Sequence, residues 1–393
     1  IMRILFLTYY FEPDLCAGSF RNTSLFNALI ESKSVDTTID VITTFPNRYD
    51  SFDANAKARE IYEEGIVVHR VQLPKHGSGL KGQIVAFKHF YNHAHQLVSD
   101  KEYDLVYASS SRLFTAFLGS KFARKNKATL YLDIRDIFRE SVVEIFNSKA
   151  IKFGLNLFLR PIEKYTFSRA NHINLVSKGF QTYFEKYNQA SFTYYTNGID
   201  QIFIDQFEST VPVANNVHKK TLIYAGNMGE GQGLDKIIPQ AADKLPEYTF
   251  ILIGDGGTKV KLKEEIQKLG LTNVELRDPV TRKELIELYQ EAGFLFLHLN
   301  DYRAFERVLP SKLFEYATFN KPIVAGVGGY AAEFIKEELP DTLLFKPTDS
   351  VELVNLLKNF NGLITDKSNF ISKFNRASIN KSMSMSIIKA HES

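Results

Sequence analysis

Short apolar runs alternate with stretches of helical periodicity along almost the whole chain. Arg3 to Tyr10 reads as a buried strand, "FEPDLCAGSF" as a loop, and "RNTSLFNALIES" as a helix with apolar residues at helical spacing. "IDVITTF", "GIVVHRVQL", "YDLVYASS", "ATLYLDIRD" and "HINLVS" repeat the strand pattern, with helical or loop segments between them. Strands apolar on both faces are buried on both, so the pattern predicts an α/β architecture of parallel strands covered by helices on either side. A second set follows "NQASFTYYTNGIDQIF": "TLIYAGNMGEGQG", "YTFILIGDGG", "VELRDPV", "FLFLHL" and "KPIVAGVGG". The chain therefore reads as two doubly wound, Rossmann-like domains, 2–195 and 196–371, with a C-terminal helix of about 372–393 packing back on the first. Open α/β sheets bind ligands beyond the carboxyl ends of their strands, so two such sheets facing each other would hold the chemistry in a cleft.

Composition narrows the function. At 393 residues the chain is too long for one ordinary core, and its formal charge of +3 is close to balance. That balance argues against a nucleic-acid binder, whose affinity rests on a strongly basic face. The single Cys16 excludes an internal disulfide framework and a four-thiolate zinc site, and fits a reducing cytoplasm. "MRILFLTYYF" reads as a strand, not a secretory leader, and no apolar run approaches the ~20 residues of a membrane-spanning helix.

Two glycine loops follow strands of the second domain: "GNMGEGQG", with Gly226 and Gly229 flanking Asn227, and "GDGG" at 254–257. Such loops either bring backbone amides up to a phosphate or simply make tight strand-to-helix turns. Gly-x-Gly-x-x-Gly is absent from the first strand's turn, and no Walker Gly-Lys-Ser/Thr is present. In "FERVLPSKLFEYATFNKPIVAG", Pro310 suits the first helical position and leaves the amides of Ser311, Lys312 and Leu313 for an anion. Glu315 shares a face with Lys312. Placed one turn back from a phosphate, it could accept two hydrogen bonds from a ribose diol; the alternative is a solvated Lys-Glu pair.

The order of these segments, from "ILFLTYYFEPDLCAGSF" through "DIRDIFRES", "TNGID", "ILIGDGG" and "PSKLFEYATFNKPIVAG", resembles the GT-B glycosyltransferases, specifically glycosyltransferase family 4 and its polysaccharide-assembling members. The resemblance implies two facing domains, a nucleotide-sugar donor in the second, retention at the anomeric carbon and no metal or other cofactor. By it, Glu315 is the second Glu of the family's Glu-x7-Glu motif and bonds the ribose. The first Glu should stand where this chain has Arg307, with Glu306 one position off; Arg307 could meet the diphosphate and Glu306 the donor sugar. Many members carry an Arg and a Lys in the first glycine loop, where this chain has Asn227 and Gln232, so Lys312 or Arg307 must supply the charge. The base is expected against Arg277 to Val280. In the first domain, Gly18 and Ser19 are expected in the turn that approaches the diphosphate. Asp136 is the candidate acceptor-orienting residue or base, a structural Asp-Arg pair being the alternative.

No metal site is expected: there is no Asp-x-Asp or His-Glu-x-x-His, and His89 and His93 lack a third ligand. "KAIKFGLNLFLRPIEKYTFSR", 149–169, carries five basic residues, one acidic residue and an apolar face of Ile151, Leu155, Phe158, Leu159 and Ile162, widened by Phe153 and Leu157. With the basic segment 74–92 it reads as a surface for anionic membranes, or as a core helix. The combined expectation is a cytoplasmic, membrane-peripheral glycosyltransferase. It would move a hexose-type or N-acetylhexosamine residue from a UDP-type donor to a polyprenyl-diphosphate-linked saccharide, with no nucleic-acid partner. A UDP-sugar 2-epimerase of the same architecture and a non-catalytic nucleotide-sugar binder are the alternatives.

Overall fold

The computed structural model describes residues 2–47, 55–75, 80–110, 112–209 and 219–392. It divides into two compact units, Ile1–Thr196 with Ala377–Ser393, and Asn197–Arg376. In chain order the first unit contains β1 Arg3–Leu7, α1 Ala17–Ser32, β2 Thr38–Thr44, β3 Arg59–Glu63, β4 Ile66–Val71, α2 Leu80–Val98, β5 Leu105–Ser110 and α3 Leu113–Asn126. It continues with β6 Thr129–Ile134, α4 Phe138–Ile145, α5 Lys149–Phe167, β7 His172–Leu175, α6 Gln181–Phe184 and β8 Ser191–Thr193. The second unit contains α7 Gln201–Ser209, β9 Thr221–Asn227, α8 Ile238–Lys244, β10 Thr249–Asp255, α9 Lys259–Lys268, β11 Val274–Arg277 and α10 Arg282–Glu291. It closes with β12 Phe294–His298, α11 Lys312–Tyr316, β13 Ile323–Gly326, α12 Gly329–Glu338, β14 Leu343–Phe345, α13 Ser350–Lys358 and α14 Ser368–Lys373. The last helix, α15 Arg376–Glu392, places Met383 and Ile387 in the first unit's core with Phe6, Phe26 and Tyr107.

The first sheet runs β3-β4-β2-β1-β5-β6-β7-β8 and the second β11-β10-β9-β12-β13-β14. Every pairing is parallel except β3 with β4. That antiparallel edge strand corrects the all-parallel expectation: "REIYE" is mostly exposed and lacks the apolar run that marked the others. β8 and β14, of three residues each, were too short to give a periodic signal. In both sheets the strand order reverses direction in the middle, between β1 and β5 and between β9 and β12. Connections diverge at such points and leave a crevice at the carboxyl ends.

The first unit's core holds a buried ion pair. Arg21 and Asp133, at 1% and 0% side-chain exposure, meet at 2.8 and 3.0 Å. Arg21 also donates to the carbonyls of Tyr195 and Thr196, while Asn174 Nδ2 donates to Asp133 and to the Tyr195 carbonyl. The network ties α1, β6 and β7 to the chain as it leaves the unit.

Candidate nucleotide site

The second unit's crevice is built from the β9 loop, the connection after β12 and the start of α11. Gly226, next to last in β9, has φ 152°, and a Cβ there would lie 3.1 Å from Tyr224 Oη and 3.6 Å from Lys312 Cε. The lysine stem thus passes within van der Waals distance of the strand end, where the positive φ favours glycine. Lys312 Nζ reaches Glu315 Oε2 at 2.8 Å and Tyr289 Oη at 3.4 Å. Both charged side chains are only partly exposed, 24% and 13%. Gly226, Asn227, Gly229, Lys312 and Glu315 are therefore brought into one neighbourhood.

The helix at Pro310 is shorter than its apolar spacing suggested. α11 has five residues, and it begins with tight turns in which Leu313 donates to the Pro310 carbonyl and Phe314 to that of Ser311. The amide of Leu313 is thus not available to an anion, which corrects that expectation; those of Ser311 and Lys312 remain. Thr318 closes the other end, its amide and hydroxyl both donating to the Glu315 carbonyl.

In the glycine loop the two positions that lack the family's cations form a neutral amide pair. Asn227 Nδ2 donates to Gln232 Oε1 at 2.8 Å, and the Gly229 amide donates to the same oxygen at 3.3 Å. A Cβ on Gly229 would lie 2.6 Å from Asn227 Nδ2, so the pair needs glycine there. Beyond it, Lys236 and Tyr302 both donate to Glu230, and burial, which would raise the Glu230 pKa, is outweighed by these bonds, which lower it.

His298 joins these loops, a role the sequence reading missed. The Thr348 amide donates to Nε2 at 2.9 Å, so Nδ1 carries the proton and donates to the Gln232 carbonyl at 2.7 Å. Thr348 adopts a left-handed backbone, φ 63°, to make this bond, a costly conformation for a β-branched residue. Burial lowers the His298 pKa to about 4, so the ring is neutral at neutral pH. A histidine ending the otherwise apolar run "FLFLH" was the signal available for it.

The remaining expected donor residues are more scattered. Glu306 and Arg307 end a short turn, Arg303–Arg307; Glu306 is exposed and lines a 460 Å³ pocket with Asn300, Tyr302, Phe305, Lys346 and Thr348. Its carbonyl backs onto Gly329, where a Cβ would lie 2.1 Å away. Arg277 is held by Glu275, two residues back on the same strand face, at 2.8 and 3.0 Å. Val280 is half-buried just ahead of α10, whose capping box joins Thr281 and Glu284.

In the first unit, Gly18 and Ser19 lie inside the first turn of α1 and not in the turn before it, a correction to the expected placement. Cys16 caps this turn, its Sγ accepting from the Ser19 amide, and the Ser19 side chain is wholly buried. Asp136 follows β6 and accepts from Ser141 Oγ at 2.9 Å. Burial, only partly offset by that bond, raises its pKa to about 6. Asp133, not Asp136, makes the Asp-Arg structural pair. On α5, Phe153, Leu157 and Phe158 are 71%, 68% and 61% exposed, beside exposed Lys149 and Arg160, while Leu159 packs inward. On α2, Ile84 and Val85 are exposed between Lys81 and Lys88; residues 76–79 of that basic segment lie outside the described residues. No described helix is long and apolar enough to cross a membrane, and no group of three His, Cys, Asp or Glu among the described residues could hold a metal ion.

Residues 205–371 match the family described as glycosyl transferases group 1. That match covers most of the second unit, Asn197–Arg376. A curated relative, WcaI of Escherichia coli strain K12, a candidate colanic acid biosynthesis glycosyl transferase by name, is 33% identical over 112 residues. That stretch is 28% of this chain and spans only 26% of the relative. Across both units, WaaG, a glycosyltransferase involved in lipopolysaccharide biosynthesis, superposes with a TM-score of 0.70 at 13% identity, covering 98% of this chain and 99% of WaaG. HepE of Anabaena, solved with UDP and glucose, gives 0.64 at 18% identity, covering 98% and 99%. The likenesses establish the GT-B fold.

The neutral state of His298 gives a testable consequence. Its folded pKa of about 4 lies below the ordinary 6.5, so the unfolded chain binds the extra proton first as pH falls. Stability from this group is complete above pH 6.5 and is lost towards pH 4, by up to about 3 kcal/mol at 1.36 kcal/mol per unit. Urea titrations across that range should show a shallower acid-side loss in His298→Gln than in the parent.

Proposed function

We propose that this chain is a glycosyltransferase that moves a hexose-type or N-acetylhexosamine residue from a UDP-type donor to a lipid-linked glycan in surface polysaccharide synthesis. The observation that carries the reading is the Lys312–Glu315 pair beside Gly226 at the carboxyl edge of a group 1 domain. A cation, two open amides and a carboxylate one turn away suit a diphosphate followed by a ribose diol. The group 1 match and the WcaI and WaaG likenesses support sugar transfer, and the HepE complex supports the UDP-type donor.

In this reading Lys312 and the amides of Ser311 and Lys312 stabilise the leaving diphosphate, without a metal ion. Arg307 meets the diphosphate and Glu306 the donor sugar, at the pocket it lines. Asp136 receives or orients the acceptor hydroxyl, and retention at the anomeric carbon follows the family 4 resemblance. The acceptor's polyprenyl tail lies in a membrane, and the exposed apolar and basic surface of α5, with Ile84 and Val85 of α2, rests on its inner face.

Three measurements test the reading. By calorimetry in EDTA-containing buffer, UDP should bind the parent protein, and Glu315→Ala should weaken it at least tenfold with the fold intact; unchanged affinity would remove the ribose role. With a turnover assay in hand, activity should rise with pH through about 6 as Asp136 ionises, and Asp136→Asn should lower it about a hundredfold. A profile flat through pH 6 in the parent would exclude Asp136 as the base. Finally, the protein should float with vesicles containing anionic lipid, and Phe153→Ser with Leu157→Ser should abolish flotation; retained flotation would show that α5 is not the contact.

A further inference from the structure

The first unit's own crevice, between β1 and β5, carries two guanidinium groups that the donor reading does not use. Arg112, on the connection after β5, lies over the Tyr9 ring at 4.5 Å and donates from Nη2 to Tyr10 Oη at 2.8 Å. The Tyr10 ring packs against Gly18 in the first turn of α1, 3.5 Å from where a Cβ would sit. Arg135, from the end of β6, approaches the same place, with Nη1 2.6 Å from that point. Tyr10 and Gly18 thus join the two arginines across the carboxyl ends of β1, β5 and β6.

Neither guanidinium forms an ion pair with a described residue. Asp133, two residues before Arg135, is occupied by Arg21 and Asn174, and Asp136, the next residue, is bonded to Ser141. Arg135 Nε is buried with no acceptor. Burial and the like charge of Arg21 lower the Arg135 pKa, yet an arginine stays charged at neutral pH. A buried cation that makes no ion pair, its burial offset only by the longer-range charge of Asp133, is destabilising, and such costs concentrate where an anionic ligand supplies the missing charge. Gly18 is the residue that lets Arg135 lie against the first turn of α1, since any side chain there would displace Nη1.

We propose that Arg112 and Arg135 form a binding site for a phosphate-ester oxyanion in the first unit, separate from Lys312. Guanidinium forks match phosphate oxygens, and the site lies at the point of the sheet where ligands of open α/β folds are bound. The phosphate belongs either to a nucleotide diphosphate or to an isoprenyl-phosphate acceptor; the chemistry is the same and the experiment separates them.

The test uses the full chain in a Lys312→Met background, so that pyrophosphate reports on the first unit. Pyrophosphate should raise the melting temperature of this background protein and bind measurably by calorimetry. Adding Arg135→Met should weaken binding at least tenfold and raise the melting temperature of the unliganded protein, because no guanidinium need then be buried. Arg135→Lys should restore part of the affinity, and Arg112→Gln, at a half-exposed position, should weaken binding without loss of folding. Loss of UDP affinity in Arg135→Met with the Lys312 site intact assigns the phosphate to the donor; loss of affinity for a short-chain isoprenyl phosphate alone assigns it to the acceptor. Pyrophosphate affinity within twofold of the background in both Arg135→Met and Arg112→Gln overturns the site. So does a lower melting temperature in Arg135→Met, which would make Arg135 a structural residue. Failure of Glu315→Ala to affect UDP would count against the transfer reading and leave this site standing.

Discussion

Burial of both faces of a parallel sheet is the constraint from which the rest of this molecule follows. β1, β5, β6, β9, β12 and β13 have almost no exposed residues, so their polar chemistry can stand only at the strand ends. Where the strand order reverses, the connections separate and leave room for a ligand. Asn227, Lys312 and Glu315 stand at that point in one unit, and Tyr10, Arg112 and Arg135 at the same topological point in the other. The two crevices have different charge: in the second unit a lysine is already paired with a glutamate, while in the first neither arginine forms an ion pair with a described residue.

That contrast depends on how buried charge is satisfied elsewhere. Asp133 is inside the first core and would be intolerable alone; Arg21, Asn174 and Tyr107 surround it with hydrogen bonds. Because these groups take its hydrogen-bonding positions, Arg135 makes no ion pair with it and feels only its longer-range charge. Breaking a buried pair of this kind costs about 3–5 kcal/mol, whereas exposed pairs such as Arg277 with Glu275 contribute ~1 kcal/mol or less. The difference explains why Arg21 and Asp133 belong to the fold, whereas Arg277 could turn to a ligand at little cost.

Legibility in the sequence tracked periodicity and length. The long apolar strands and the glycine loops could be read because burial on two faces and tight turns each leave a compositional trace. β3 escaped because an exposed edge strand has none, and β14 because three residues carry no period. At the site, Lys312 and Glu315 were legible from their i, i+3 spacing on one helix. His298 was not, since its two partners, Gln232 and Thr348, lie 66 and 50 residues away and only the folded sheet brings them together. Arg135 was likewise legible only once Asp133 was seen to be occupied by another arginine.

The stretch at 310–315 then acquires a more specific meaning than an anion site at a helix start. With α11 only five residues long and the Leu313 amide bonded to Pro310, the helix dipole contributes little. The side chains must carry more of the interaction. Under the proposed nucleotide reading, Lys312 has donors and Glu315 has lone pairs beyond their 2.8 Å bond, so one can add a bond to a diphosphate and the other to a ribose while the pair holds both in place. A nucleoside without phosphates engages only Glu315, so the pair favours a ligand that carries both parts. The neutral Asn227–Gln232 pair fits that logic: with no cation in the glycine loop, the phosphate charge falls, in the proposed reading, to Lys312 and Arg307.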